Sequence, residues 1–288
     1  MLSPLPSDAP PDPPLLVAFS GGLDSTALLH RLANDPSFRR SRLRAMHVHH
    51  GLHAQADAWA AHCQRFCDAL GVPLRVIRVE VIRDSGEGLE AAARQARYAA
   101  IRDMLEPGEI LVTAHHRDDQ AETFLLHALR ASGPDGLAAM RAWRAFAQGW
   151  HWRPLLQTPR SALFAHAQEH GLGWIEDPSN ADTGFDRNFL RQRVLPLLRE
   201  RWPHAAAAFA RSAGLNAEAT ALLAEEDARA LAATATLDAC TLSVPALLAL
   251  TAPRRARVLR RWIRRLGLPP LSSEGLARIE TGLLPARA

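Results

Sequence analysis

The 288-residue chain contains no lysine, so all 34 of its basic side chains are arginine. That absence excludes three kinds of chemistry. A Walker-type phosphate loop depends on its lysine, Schiff-base and pyridoxal enzymes form their imine on one, and a lysine general base is equally impossible. Cysteine is nearly as scarce. Cys63, Cys67 and Cys240 make neither an even disulfide framework nor a paired CxxC metal site, and they read as buried small hydrophobes in a reducing compartment. No run of about 18 apolar residues is present to cross a bilayer. The proline-rich start, Met1 to Pro14, has no basic-then-apolar signal pattern. These absences lead to the expectation of a cytoplasmic protein with no membrane partner.

What is present is ordinary globular composition, 48% hydrophobic and 22% charged residues, which argues against a disordered or fibrous chain. The length suits one large α/β domain with a smaller companion. A net charge of +4 and an isoelectric point near 9.7 suit an acidic partner such as nucleic acid, and arginine is the better bidentate ligand for phosphate. A codon bias that exchanges lysine for arginine on solvated faces accounts equally well for most positions.

Along the chain, short apolar runs alternate with helical patterns. Leu15 to Phe19, Arg42 to Val48, Leu74 to Val81 and Ile110 to Ala114 read as strands, and each is followed by a helix. The alternation implies βαβ units and a parallel sheet, with ligands beyond the carboxyl ends of the strands. From about Ala205 onward alanine and leucine dominate and the segments read as helices. The expected organisation is a flexible leader at 1–14, an α/β domain at 15–203 and a small all-helical domain at 204–288.

The string Ser20-Gly21-Gly22-Leu23-Asp24-Ser25 lies between the first strand and a helix start. Its amides and hydroxyls face one point at a positive helix end, which makes a phosphate cradle. Asp24 is misplaced for binding an anion alone, and a carboxylate beside phosphates implies an intervening metal, most naturally Mg²⁺. An ordinary glycine turn with a capping serine is the alternative reading. The segment Thr113 to Thr123 follows a strand, so His115, His116, Asp118 and Asp119 lie at a strand end and helix start, where carboxylates can complete a magnesium shell. Simple helix-dipole complementarity is the other explanation for those aspartates. The histidines at 47, 49, 50 and 53 do not have a zinc-ligand spacing.

The string SGGLDS matches the SGGxDS loop of the N-type ATP pyrophosphatases, called the PP-loop superfamily, which cleave ATP between its α and β phosphates. With His47 to Leu52, Glu90 to Tyr98, Thr113 to Thr123 and Trp174 to Arg191 in the same order, the chain resembles the tRNA(Ile)-lysidine synthetase family from about Leu15 to Leu198. His53 and His127 stand where that family often has arginine. The resemblance implies an adenine-nucleotide α-hydrolase-like fold and ATP as co-substrate, bound by Ser20, Gly21, Gly22, Leu23, Asp24 and Ser25. It implies Mg²⁺ held by Asp24 and Asp119, with His115 and Arg97 among the catalytic groups. The implied activity is ligation of free L-lysine to C2 of the wobble cytidine of an isoleucine tRNA bearing a CAU anticodon, with release of AMP and pyrophosphate. A PP-loop tRNA thiolase and a non-catalytic RNA-binding module are the rival readings, and the oligomeric state stays open, a homodimer among the options.

Two arginine-rich stretches are the candidate tRNA contacts. Arg187, Asn188 and Arg191 follow a turn signal at Asp177-Pro178-Ser179-Asn180, and the resemblance places this region on the tRNA and lysine side. Between Arg254 and Arg265, seven arginines share a predicted helix containing no acid, with Arg254, Arg257, Arg261 and Arg264 set against tRNA and Val258, Leu259, Trp262, Ile263 and Leu266 on the opposite side. A solvated face is the alternative.

Overall fold

The computed structural model describes residues 2–7, 9–38, 42–81, 89–269 and 271–284; the side chain of Glu90, which opens one of the motifs above, lies outside the described residues. Among the described residues the strands are β1 (Leu15–Ala18), β2 (Leu43–His49), β3 (Leu74–Arg78), β4 (Ile110–Val112), β5 (Trp143–Phe146) and β6 (Gly149–Trp152). Helices α1 (Leu23–Asn34), α2 (Ala56–Leu70), α3 (Leu89–Met104), α4 (Arg117–Leu129), α5 (Pro134–Leu137) and α6 (Arg160–Glu169) accompany them. Then come α7 (Asp186–Phe189), a π turn at Leu190–Val194, α8 (Leu195–Arg201), α9 (Ala205–Thr234), α10 (Val244–Leu248), α11 (Ala252–Arg265) and α12 (Ser273–Arg278).

The sheet order is β3-β2-β1-β4-β6-β5. All neighbouring pairs are parallel except β5 with β6. The four predicted strands are present, and the purely parallel sheet expected from them gains an antiparallel edge. Its hairpin escaped the sequence because Ala147-Gln148 is not an Asn-Gly or Asp-Gly turn, although Ala147 takes a left-handed φ of 50°. Side chains alternate along β1. Leu15, Val17 and Phe19 join Leu28, Leu29, Leu32, Cys63 and Cys67 on one face, while Leu16 joins Met46, Ile101, Leu105 and Leu111 on the other. Two-sided burial explains why β1 and β4 are continuous apolar runs.

Strand order reverses at β1, which has β2 on one side and β4 on the other. An open α/β sheet leaves a crevice at such a switch point, beyond the carboxyl ends of its strands. The segments that emerge there are the glycine string after β1 and Thr113 to Asp119 after β4.

The chain divides into two compact units, Met1–Leu215 and Asn216–Ala288, rather than near Pro203. The start of α9 belongs to the first unit because Ala206 and Phe209 pack on Ala121 and Leu195. The leader is also not free throughout: Leu2 and Leu5 pack on the core, and the Ser3 amide donates to the Pro154 carbonyl at 2.9 Å. In the second unit, Leu231, Leu247, Val258, Leu259 and Leu284 form a separate core.

Gly149 starts β6 hard against the chain before β4. A Cβ there would lie 2.0 Å from the Glu109 carbonyl oxygen, backbone that cannot step aside. Gly149→Ala should therefore destabilise the first unit by about 1–3 kcal/mol, the usual cost of overpacking; a thermal melt indistinguishable from the parent protein would contradict this.

Candidate active site

The glycine string is held in shape from within and from outside. Gly21 has φ of +81°, and a Cβ at that position would come within 2.5 Å of Ile175 Cδ1 and 2.8 Å of Cys63 Sγ. Only glycine fits both the conformation and the space. The Ile175 amide donates to the Gly21 carbonyl at 2.8 Å, so Trp174-Ile175 is a wall of the loop. Thr26 Oγ1 donates to the same carbonyl at 3.2 Å, Ser25 Oγ donates to the Gly22 carbonyl at 3.0 Å, and the Ser20 and Ser25 hydroxyls are 3.0 Å apart. No side chain caps α1, so the first-turn amides at Leu23, Asp24 and Ser25 stay available to an anion. The Leu23 side chain itself is buried and contributes packing.

His116 brings the two predicted carboxylates together. Its Nε2 lies 3.6 Å from Asp24 Oδ2 and 3.3 Å from Asp119 Oδ2. His116 caps α4, and the Asp119 carboxylate returns the contact by accepting from the His116 amide at 3.0 Å. Burial works against protonation of His116, but the neighbouring carboxylates, Asp24 first, raise its pKa above the ordinary histidine value. Burial likewise works against ionisation of Asp119, yet His116, Arg187 and His115 hold its carboxyl down at about 2. Asp24 Oδ1 is buried without a hydrogen-bond partner; the nearest cation is Arg160 Nε at 3.5 Å. An orphaned carboxylate oxygen beside an anion cradle fits a hard cation. The oxygens of Asp119 are already engaged, Oδ1 with the guanidinium groups of Arg187 and Arg191 at 3.1 Å each and Oδ2 with His116. Of the two, Asp24 is the better fit to magnesium.

Glu122 has no role assigned from the sequence. It is fully buried and receives Arg187 Nε at 2.8 Å and Arg191 Nε at 2.7 Å. Helical spacing groups Glu122 with Asp118, four residues before it, and sets Asp119 a turn-edge away; in the structure it is Asp119 that shares the arginine partners of Glu122. Asp118 faces elsewhere, accepting the Arg160 amide at 2.9 Å and pairing with Arg199. Arg187 and Arg191, expected from the sequence to contact tRNA or substrate, are held in the structure as partners of buried acids. Asn188 has a structural task, its amide donating to the Ser179 and Asp182 carbonyls at 3.1 and 2.8 Å.

His115 sits in a polar chain behind the loop. Thr113 Oγ1 is 2.7 Å from His115 Nδ1 and 2.9 Å from His151 Nε2, and Arg153 Nη2 reaches His151 Nδ1 at 3.2 Å. Burial pushes the His115 pKa down to about 3, and the charges of Arg153, Arg187 and Arg94 work in the same direction. Arg94 therefore has electrostatic reach to His115, whereas Arg97 acts on His50, whose pKa burial and that guanidinium push to about 4. Both arginines approach the Tyr98 ring, at 5.0 and 5.9 Å. His47 is a core histidine bonded to the Phe19 carbonyl at 3.0 Å. Cys63 and Cys67 are buried, and burial pushes both thiols up to about 12, so neither is a nucleophile. An apolar groove of about 440 Å³ beside Leu198, Trp202 and Phe209 contains none of the predicted residues.

In the second unit the α11 arginines meet acids from α9. Arg257 forms a bidentate pair with Asp227, its nearest contact 2.6 Å, and Arg254 pairs with Glu226 at 2.6 Å. Arg261 donates to the Ala224 carbonyl at 3.2 Å, and Arg255 pairs with Glu280 at 2.7 Å. Three of the seven arginines in a stretch that looks free of acid in sequence thus meet a carboxylate in space. Arg264 and Arg265 are exposed and Arg260 is half-buried.

A glycine loop at the switch point of a mostly parallel sheet, with a buried carboxylate beside a helix start, defines a nucleotide-handling α/β domain. Residues 5–198 match the PP-loop domain family, and the chain belongs to that family. Residues 242–288 match the TilS substrate-binding domain. The chain is 59% identical over 272 residues to the tRNA(Ile)-lysidine synthase of Xanthomonas axonopodis pv. citri, covering 94% of this chain and 62% of that protein. It is 55% identical over 279 residues to the enzyme of the same name from Xylella fastidiosa, covering 96% and 63%, and 51% identical over 269 residues to that of Escherichia coli O157:H7, covering 92% and 61%. The chain spans about three fifths of the length of these relatives. Among solved structures, the fold is similar to the U34-tRNA thiolase NcsA from Methanococcus maripaludis with its 4Fe–4S cluster, with a TM-score of 0.54 at 16% identity over 70% of each chain.

The pairing of Arg187 and Arg191 with Glu122 makes a stability prediction. Glu122→Gln leaves two guanidinium groups short of a counter-charge. Breaking a buried pair costs about 3–5 kcal/mol, and the side chains of Arg187 and Arg191 remain 27% and 34% exposed, so a loss of about 2–3 kcal/mol is expected after solvent screening. Asp118→Asn should cost less; equal denaturation midpoints for parent and Glu122→Gln would refute the assignment.

Proposed function

We propose that this chain carries the catalytic part of an ATP-dependent tRNA(Ile)-lysidine synthase, joining free L-lysine to C2 of the wobble cytidine of tRNA-Ile with a CAU anticodon. The observation that carries the reading is the Ser20 to Ser25 cradle with the orphaned Asp24 carboxylate oxygen beside it, in a chain more than half identical to proteins of that name. In this reading the cytosine O2 attacks the α-phosphorus of ATP and pyrophosphate leaves. The lysine side-chain amine then attacks C2, the C2–O2 bond breaks and AMP departs with that oxygen. Adenylation is needed because a carbonyl oxygen is a poor leaving group until it is esterified.

The protein's part is positioning and charge compensation. The amides of Leu23, Asp24 and Ser25 receive phosphate oxygens. Asp24, with Asp119 as a second candidate, would hold Mg²⁺, which supplies charge neutralisation for the triphosphate. Arg160 stands by Asp24 as a further cation. In this reading Arg97, with Arg94 one turn away, meets phosphate or developing charge. His115 is neutral at physiological pH in this reading and acts through hydrogen bonding. Arg187 and Arg191 pair with Asp119 and Glu122, and their exposed surface is open to the tRNA or lysine. Within the α11 helix, Arg260 and Arg265 are better placed for backbone phosphates than Arg254, Arg257 or Arg261, whose guanidinium groups already hold partners. A soluble cytoplasmic location fits the substrate.

The thiolase reading draws on a similar fold, but it requires reactive cysteines, and Cys63 and Cys67 are buried in the core with their thiols pushed up to about 12. Two outcomes are expected. With tRNA-Ile transcript, lysine and Mg²⁺, ATP should yield AMP and pyrophosphate and never ADP, and Asp24→Asn should abolish this by at least about a hundredfold while its melt stays that of the parent; wild-type turnover in that variant across a magnesium titration would overturn the role of Asp24. Arg260→Gln with Arg265→Gln should lower the salt slope of tRNA binding by up to about 0.9 per lost phosphate contact, whereas Arg257→Gln should act mainly on stability; an unchanged slope in the double variant would return α11 to a solvated face.

A further inference from the structure

Helices α1 and α6 pack against each other with three imidazoles between them: His30 on α1, His166 on α6, and His170, which ends α6. One ring nitrogen from each lies within 4.8 Å of the other two, and among the described residues no other three histidine, cysteine or acidic side chains meet in this way. His30 Nδ1 is 3.1 Å from His166 Nε2. Around a tetrahedral zinc ion with Zn–N bonds of about 2.0–2.1 Å, ligand nitrogens sit about 3.3 Å apart, so this spacing is already close to that of a coordinated pair. The ring centroids of His166 and His170 are 4.2 Å apart, and those of His30 and His170 are 4.8 Å apart.

The third ligand is pre-set. His170 Nδ1 is 2.9 Å from the His166 carbonyl, and a carbonyl only accepts, so Nδ1 carries the proton and the Nε2 lone pair is left for a ligand. Metal-bound histidines are commonly oriented by such a bond from the second ring nitrogen. Burial lowers the pKa of His30 and brings that of His166 to about 4, with Arg31 and the other imidazoles adding to the effect. Neither the PP-loop match nor the site around Asp24 accounts for this cluster.

We propose that His30, His166 and His170 form a binding site for a divalent transition metal of the zinc class, with water in the fourth position. Three imidazoles suit Zn²⁺, Ni²⁺ or Cu²⁺ and are poor ligands for Mg²⁺. The site is a clamp between two helices whose opposite ends matter for the cradle: α1 begins at the glycine loop, and α6 begins at Arg160, whose amide bonds Asp118 at 2.9 Å and whose Nε is 3.5 Å from Asp24. The inference rests on the imidazole geometry alone and is independent of the reaction assigned above.

The test uses the full chain after chelator treatment, titrated with ZnCl₂ by calorimetry and with CoCl₂ by visible absorption. One Zn²⁺ per chain is expected, with a rise in melting temperature that MgCl₂ at the same concentration does not give, and intense tetrahedral Co²⁺ bands. His170→Ala, at an exposed position, should leave the metal-free melt unchanged, weaken zinc affinity at least about tenfold and remove the Co²⁺ bands. His53→Gln, in the other histidine-rich segment, should change nothing. Absence of binding, undiminished affinity in both His170→Ala and the double variant His166→Gln with His170→Ala, or loss of binding in His53→Gln would each overturn the proposal.

Discussion

Two carboxylates on one helix face, Asp119 and Glu122, are buried, and buried carboxylates remain ionised only when paired. Their partners come from far along the chain: Arg187 and Arg191, one turn apart, close on both acids at 2.7 to 3.1 Å. This four-residue cluster ties the segment after β4 to the segment around α7. The same segment carries Ile175, whose amide holds the Gly21 carbonyl. The segment from Trp174 to Arg191 therefore touches both the glycine loop and the α4 carboxylates.

The sheet explains why that assembly forms where it does. Strand order reverses beside β1, so the chains leaving β1 and β4 are not covered by a continuing crossover on the same side, and their termini face a common crevice. His116 then bridges Asp24 and Asp119 across it. The imidazole lies within 3.6 Å of Asp24 and 3.3 Å of Asp119, and Asp24 Oδ1 is left as a buried oxygen without a hydrogen-bond partner.

Much of this was legible before any coordinates. The strand, glycine string and helix at 15–34, the second polar cluster after a later strand, and the alternation that implies a parallel sheet all rest on local pattern, and they appear where expected. The edge hairpin did not, because its turn lacks glycine or asparagine at the sharp positions and its strands are built from tryptophan and arginine rather than β-branched residues. Arg160 carries no motif, so nothing in its neighbourhood announces a cation beside Asp24. The basic helix misled for a related reason. Counting acids along Arg254 to Arg265 finds none, yet Glu226, Asp227 and Glu280 arrive from other helices.

The sequence by itself determined the class of chemistry: no lysine for a Walker loop, a six-residue glycine string after a buried strand, and a group of acids and histidines at a later strand end. These are short-range facts, since backbone conformation and helix polarity act over a few residues. Only the tertiary structure decided which charges are spent and which remain. Arg187, Arg191, Arg257 and Asn188 are held by partners up to scores of residues away, while one oxygen of Asp24 is left without one. Coulombic and hydrogen-bond satisfaction depend on distance in space, which a one-dimensional pattern does not contain.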